Sequence, residues 1–300
     1  MTSLIEEKFV LKKFDRKKRS FLRRFNWNFM PFAQKDSLPD PRLLVPHQRE
    51  EVSELIDLVK EGDLVSFVVS DIGMGKTALC RFLVETLPQE DNQKIASVFL
   101  HGPSVERREQ MLRLILERLE LRVEGGDLSS EFDHLYRWYE DYPDFLLVLV
   151  VDEFPEVSPD SLEIVRAITD LKGTVWILNG RENQLIEFIE ENAPALLKRR
   201  RYTLELEPMD LEEVRELLIF RMAWARGGNY DERIIEPFLP ETIEKIYKRS
   251  EGVPREALKL ASNAVYNAIK EDSGKITPEL VFEGRKKKKS FWSFLPFVGR

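Results

Sequence analysis

The sequence has a single cysteine, Cys80, and three histidines among 300 residues. One thiol closes no internal disulfide and cannot build a cysteine-rich zinc or iron–sulfur site. His47, His101 and His134 stand apart with no metal-ligand spacing among them, so each reads as structural or exposed. Long apolar runs are missing as well. The longest, residues 145–151, has seven members, well short of the roughly 20 that cross a bilayer. The amino terminus shows no apolar stretch ending in a small-residue cleavage site. A cytoplasmic, reducing location is therefore the expectation. What is plentiful is apolar material, 43% of residues, together with 33% charged ones. That composition supports a packed core and excludes global disorder. The length suits one large domain with a smaller one appended, or two modest domains.

The net charge of −7 conceals a partition along the chain. Residues 8–25 hold nine Lys and Arg against Asp15 alone, and residues 285–300 hold six with no acid. The stretch between is strongly acidic, so contact with a polyanion is expected at the two ends or in a small cluster.

The basic N-terminal stretch is interleaved with Phe9, Phe14, Phe21, Phe25, Trp27, Phe29 and Phe32, too many rings for a solvated tail, and it is expected to dock on something. Prolines 31, 39, 41 and 46 mark an irregular connection, after which an amphipathic helix is predicted over residues 47–60, ended near Gly62. From there, strand-like runs at 64–69, 95–100, 145–151, 175–178 and 202–206 alternate with helical patterns at 78–87, 105–121 and 159–171. This alternation predicts an α/β fold, a parallel sheet covered by helices, followed by a small all-helical domain. The expected divisions are a basic aromatic arm at 1–46, the α/β domain at 47–207, the helical domain at 208–284 and a basic aromatic tail at 285–300. Cys80 reads as buried packing, and Trp138, Tyr139 and Tyr142 as core or interface.

Two motifs carry chemistry. Residues 70–77 read SDIGMGKT between a strand and a helix. Gly73 and Gly75 allow consecutive N–H groups to curl round a phosphate at a helix N-terminus. The candidate binding residues are Ser70, Asp71, Ile72, Gly73, Met74, Gly75, Lys76, Thr77 and Ala78, with Lys76 reaching the β and γ phosphates of ATP and Thr77 a hydroxyl ligand of Mg²⁺. Ser70 stands where the consensus has glycine. Residues 146–153 read LLVLVVDE, an apolar strand that delivers Asp152 and Glu153 to the sheet margin where ligands of such sheets bind. Asp152 is the second expected Mg²⁺ residue and Glu153 the expected catalytic base for an attacking water.

With both motifs present, residues 47–282 resemble the AAA+ P-loop ATPases. The resemblance implies a helical lid, ATP hydrolysis, and two further residues in the reaction: Asn179 as a polar sensor at a strand end, and Arg255, in GVPREALKLASNAV at 252–265, reaching the nucleotide from the lid. Lys76, Glu153, Asn179 and Arg255 form the expected catalytic set. Arg199, Arg200 and Arg201 fall where the family exposes an arginine finger to a neighbouring subunit, and a solvated basic run reads equally well; a homo-oligomer is implied by the first. The GVPR lid and the helix before the first strand resemble the origin-recognition and replication-initiation branch and the transposition and secretion-accessory branch. The first branch continues into a winged-helix domain, for which no length remains after Phe282. The function implied is a Mg²⁺-dependent ATPase controlling association with a macromolecular partner, DNA foremost, in replication, repair or transposition. The alternative is a nucleotide-binding switch or scaffold with little turnover.

One pattern lies outside the family core. WNFMPF at 27–32 and WSFLPF at 292–297 share order and spacing, and each follows a basic cluster. As paired anchors they would hold a protein partner or neighbouring subunit, a membrane surface, or nucleic acid. As core-completing tails they would tuck against their own domain.

Overall fold

The computed structural model describes residues 12–32, 38, 40–62, 64–89, 94–122, 127–228 and 234–282. Five strands, β1 (Leu64–Val69), β2 (Ile95–His101), β3 (Leu146–Asp152), β4 (Thr174–Gly180) and β5 (Arg200–Glu205), form one sheet in the order β2-β3-β4-β1-β5. Every neighbouring pair is parallel. The order reverses direction at β1, and β4 lies between β1 and β3.

Because side chains alternate along a strand, the apolar runs feed two cores. Val65, Phe67, Val69, Leu147, Leu149, Val151, Trp176 and Leu178 face one cluster. It is closed by helices α4 (Arg108–Arg118), α5 (Leu128–Asp141), α6 (Leu162–Thr169), α7 (Glu182–Asn192) and α8 (Pro194–Arg199). Leu64, Val68, Val148, Val150, Val175 and Ile177 face the other, covered by α2 (Arg49–Glu61) and α3 (Lys76–Thr86). Burial on both faces is why β1, β3 and β4 read as continuous apolar runs rather than alternating ones. Trp138 is buried in the first core and Cys80 in the second.

The chain divides into two compact units. The α/β unit comprises Lys35–Glu213 with Val253–Arg255; the helical unit comprises Met1–Gln34, Val214–Gly252 and Glu256–Arg300. The helical unit contains α1 (Lys12–Arg24), most of α9 (Leu211–Ala225), α10 (Pro240–Ser250) and most of α11 (Pro254–Glu271). These divisions differ from the expected ones at 46/47 and 207/208. The N-terminal arm is no separate element, since its rings complete the helical unit. Phe32 and Trp27 are almost wholly buried, their rings stack edge-on at 6.5 Å, and Phe32 meets Phe238 edge-on at 5.6 Å. The Asn28 N–H donates to the Ala225 carbonyl at 2.8 Å, closing the arm onto the end of α9. The first copy of the repeated pattern thus buries its Trp and last Phe at home, while Phe29 remains exposed. The second copy, at 292–297, lies outside the described residues, as does the rest of the basic tail.

Candidate functional site

All three site segments leave the sheet at the carboxyl ends of adjacent strands. After Val69 the chain turns through residues 70–75 into α3. Gly73 and Gly75 have φ of +90° and +102°, in the left-handed region where a side chain is strained. At Gly73 crowding adds to that: a Cβ there would stand 3.0 Å from the Arg255 Cβ and 3.3 Å from a Val253 methyl. Gly75 caps α3, and a Cβ there would meet open space within 4 Å. The glycine at that position therefore serves the backbone conformation that aims the first N–H groups of the helix outward.

Lys76 folds back along this loop. Its Nζ donates to the Ser70 carbonyl at 2.8 Å, the Ser70 Oγ at 3.0 Å and the Asp71 carbonyl at 2.9 Å. The serine in place of the consensus glycine thus supplies one of the acceptors for the lysine. Partial burial lowers the pKa of Lys76, and the charge of Asp152 opposes that shift. Arg181, just past the end of β4, adds to the lowering through its own charge. This arginine is a basic group of the site that motif reading passed over.

Asp152 is buried and joins the three segments. Its Oδ1 accepts from the Thr77 hydroxyl at 3.1 Å and from the Asn179 amide at 2.6 Å. Asn179 is fully buried. Its Oδ1 accepts the Glu153 N–H at 3.0 Å, and its Nδ2 also donates to the Cys80 sulfur at 3.2 Å. The amide therefore clamps both acidic residues, one through the side chain and one through the backbone, a direction the sequence had not indicated. Behind it the Cys80 thiol is pushed up to about 12 by burial, with the Asn179 hydrogen bond pulling the other way. Glu153 has φ 54° and ψ 47°, a left-handed conformation for a residue with a Cβ, a strain that concentrates at functional sites. Its side chain is exposed, whereas Asp152 is buried, so the adjacent carboxylates sit in different surroundings.

Gly102, at the end of β2, fixes that turn from the far side. A Cβ on it would lie 2.2 Å from the Glu153 carbonyl oxygen and 3.0 Å from that of Asp152. Both obstacles are backbone, so any larger residue must displace the acidic pair. No motif marked Gly102; its position beside Glu153, one residue beyond the His101–Asp152 register pair, is the signal that existed.

The remaining expected residues are placed as follows. The Arg255 N–H donates to the Gly73 carbonyl at 3.2 Å, which sets the start of α11 on the glycine loop within the α/β unit. Ile72 is exposed and Met74 is buried in the core beneath the loop. Arg199 pairs with Asp170 at 2.6 Å and Arg201 with Glu61 at 3.0 Å, while Arg200 lies over the Phe67 ring at 5.5 Å. Arg200 stands opposite Val65, near the start of β1, so these arginines lie at the sheet margin opposite the glycine loop. His47 bonds Glu213 and the Glu207 carbonyl, each at 2.9 Å.

The donor set fits Mg²⁺. A hydroxyl and a carboxylate from two elements, 3.1 Å apart, are the hard oxygen groups it takes, and it keeps most of its shell for water and phosphate. Among the described residues no group of three or more His, Cys, Asp or Glu is arranged to hold an ion.

Residues 59–188 match the family model described as an AAA domain. The chain is 23% identical to an ORC1-type DNA replication protein 1 of Sulfurisphaera tokodaii over 80% of this chain and 62% of that one. It is 25% identical to general secretion pathway protein A of Aeromonas hydrophila over 79% and 43%. It thus spans less than two thirds of either relative. The ORC2 protein of Aeropyrum pernix, solved with ADPNP and ADP, superposes with a TM-score of 0.64 at 16% identity, over 85% of this chain and 70% of that one. The expected resemblance holds in residues 59–188, which are similar to an AAA domain, and in the fold, which is that of the Aeropyrum pernix ORC2 protein. Among the described residues no helix is long and apolar enough to cross a membrane.

Proposed function

We propose that this chain is a Mg²⁺-dependent ATPase that uses ATP binding and hydrolysis to control its association with DNA. The observation that carries the reading is the Asp152 carboxylate, which accepts from Thr77 of the glycine loop and Asn179 of β4 at once. Phosphate-binding and acid-bearing segments are thereby joined at one point.

In this reading the N–H groups of residues 73–78 and the Lys76 ammonium take the β and γ phosphates of ATP. Lys76 exchanges three loop acceptors for phosphate oxygens, and its positive charge gains from the stronger partner. Thr77 and Asp152 would hold Mg²⁺, which neutralises phosphate charge when bound. Glu153, exposed on a turn clamped by Asn179, takes a proton from the water that attacks the γ phosphorus; ADP leaves in line. Asn179 acts through the two acidic residues as a positioning group. Arg255 ties the nucleotide state to the helix it begins, because its backbone already bonds Gly73 and most of that helix belongs to the helical unit. Population of the DNA-competent arrangement then follows the differential affinity of ATP and ADP.

DNA is preferred as partner because the matched ORC1-type relative is named a DNA replication protein, and because the helical unit is basic. Membrane attachment through the first aromatic segment is disfavoured by the burial of Trp27 and Phe32. The test is steady-state phosphate release by purified protein with and without duplex DNA. Turnover that needs Mg²⁺ and is lost in Lys76→Ala supports the reading. Equal turnover by Lys76→Ala refutes it, and DNA-independent turnover with no DNA binding refutes the partner.

A further inference from the structure

We propose that Arg16, Arg19 and Arg23 of α1 form a binding face for the phosphodiester backbone of duplex DNA. The inference deepens the reading above and rests on it for the class of partner. It starts from how firmly the other side of α1 is held. The Phe14 ring lies 4.8 Å from that of Tyr266 on α11, and buried Phe21 packs 4.9 Å from Phe25 and 5.9 Å from Trp27. Lys17 donates to the Lys270 carbonyl and pairs with Asp272, both at 3.2 Å. The Arg24 guanidinium lies across Gly274, so close that a Cβ there would be 2.6 Å from its Nη1.

With that side fixed, the opposite one is set as well. Arg16, Arg19, Ser20 and Arg23 are exposed and line one groove. Spacings of three and four residues place them on a single helical stripe. Among the described residues these three arginines form no hydrogen bond or ion pair. In the α/β unit, by contrast, Arg108, Arg113, Arg199 and Arg201 hold carboxylates. A row of unpaired guanidinium groups in a chain with an excess of acids is arranged toward a ligand outside it.

The geometry selects the ligand. From Arg16 to Arg23 the helix rises about 10 Å, roughly three phosphate steps of one strand at about 3.4 Å each along the duplex axis. Guanidinium forks bind phosphate oxygens in pairs, and Ser20 adds a hydroxyl donor between them. A lipid surface suits the row less, because an interfacial helix inserts its apolar side, and here that side packs against Tyr266 and Trp27. A protein partner suits it less too, since the stripe offers no apolar anchor for an interface core.

Fluorescence anisotropy with a labelled 30-base-pair duplex across a salt series tests the assignment. Arg16→Ala/Arg19→Ala/Arg23→Ala should weaken binding about tenfold or more and flatten the slope of log K against log salt by about 2.7, the share of three phosphate contacts. The corresponding triple Lys variant should keep most of the slope, and both variants should bind a fluorescent ATP analogue as the parent does. Unchanged duplex affinity and slope in the Ala variant overturn the proposal while leaving DNA as partner. So does an equal loss of slope in the Lys variant, or arginine-dependent binding to phosphatidylserine vesicles without effect on DNA. Failure of the parent protein to bind duplex at all removes both this face and the DNA reading beneath it.

Discussion

The α/β unit carries 38 acidic against 21 basic side chains, whereas the helical unit carries 15 against 25. One chain thus combines an acidic unit that carries the glycine loop and the acidic pair with a basic unit that carries neither. In the proposed reading, the charge that meets the phosphates comes from backbone N–H groups at a helix end and from Lys76, so the rest of the α/β unit can be acidic and repel long polyanions. In the helical unit Arg16, Arg19 and Arg23 stand on an exposed stripe, where charges act at longer range and lose force with salt. The lesson is that net charge and anion binding separate when the binding groups are dipoles on a fixed loop rather than surface charges.

The sharpest way to break this division is to remove chemistry from one unit and look for loss in the other. Glu153→Gln should lower kcat for ATP hydrolysis by about 10²- to 10⁴-fold, the usual share of a general base. Nucleotide binding and duplex binding should persist, since the amide keeps the shape of the turn. Single-turnover phosphate release and anisotropy measured on the same preparation check both halves. Hydrolysis at the parent rate would remove Glu153 from the reaction.

The reverse experiment acts on the helical unit. Phe32→Ala empties a fully enclosed site between Trp27 and Phe238 and should cost about 3–5 kcal/mol of stability. Urea unfolding, followed by the fluorescence change of the variant against the parent, reads the shift in midpoint. A loss below about 1 kcal/mol would mean that the arm completes no core.

Within the α/β unit, Asn179→Ala should lower kcat about 10- to 100-fold with a smaller change in KM, because the variant leaves Asp152 without its shortest bond and frees the Glu153 backbone. It should also lose about 1–3 kcal/mol of stability for the buried groups left unpaired. Equal changes in kcat and KM would point to a direct contact with nucleotide instead. Gly102→Ala attacks the same turn by displacement and should likewise lower kcat.

How much of this was legible follows the same line between units. In the α/β unit the glycines and lysine are contiguous in one motif and the acidic pair in another, and β1, β3 and β4 read as apolar runs because both faces are buried. Gly102 and the direction of the Asn179 amide were not legible. They act across strands, and their contacts depend on strand order, which one sequence does not encode locally. The helical unit joins three separated segments, so its limits could not be drawn along the chain. Yet Phe14, Phe21 and Phe25 stand seven and four residues apart, a helical stripe that was present to be read. Basic residues between the rings made docking outward and packing inward look alike.

The smallest effect concerns Cys80, the point where the Asn179 clamp meets the core. Burial disfavours its thiolate and pushes the thiol up to about 12, and thiolate is the form that reacts. Native protein at pH 8 should therefore take up almost no maleimide over minutes, and one equivalent after unfolding in urea. Cys80→Ser should retain most of the hydrolysis rate, because the sulfur only accepts a weak bond from an amide already held by Asp152 and Glu153. Rapid labelling of the folded protein would instead mean that the Asn179 side of the turn opens readily and that the amide clamp on Asp152 and Glu153 is not held by the core.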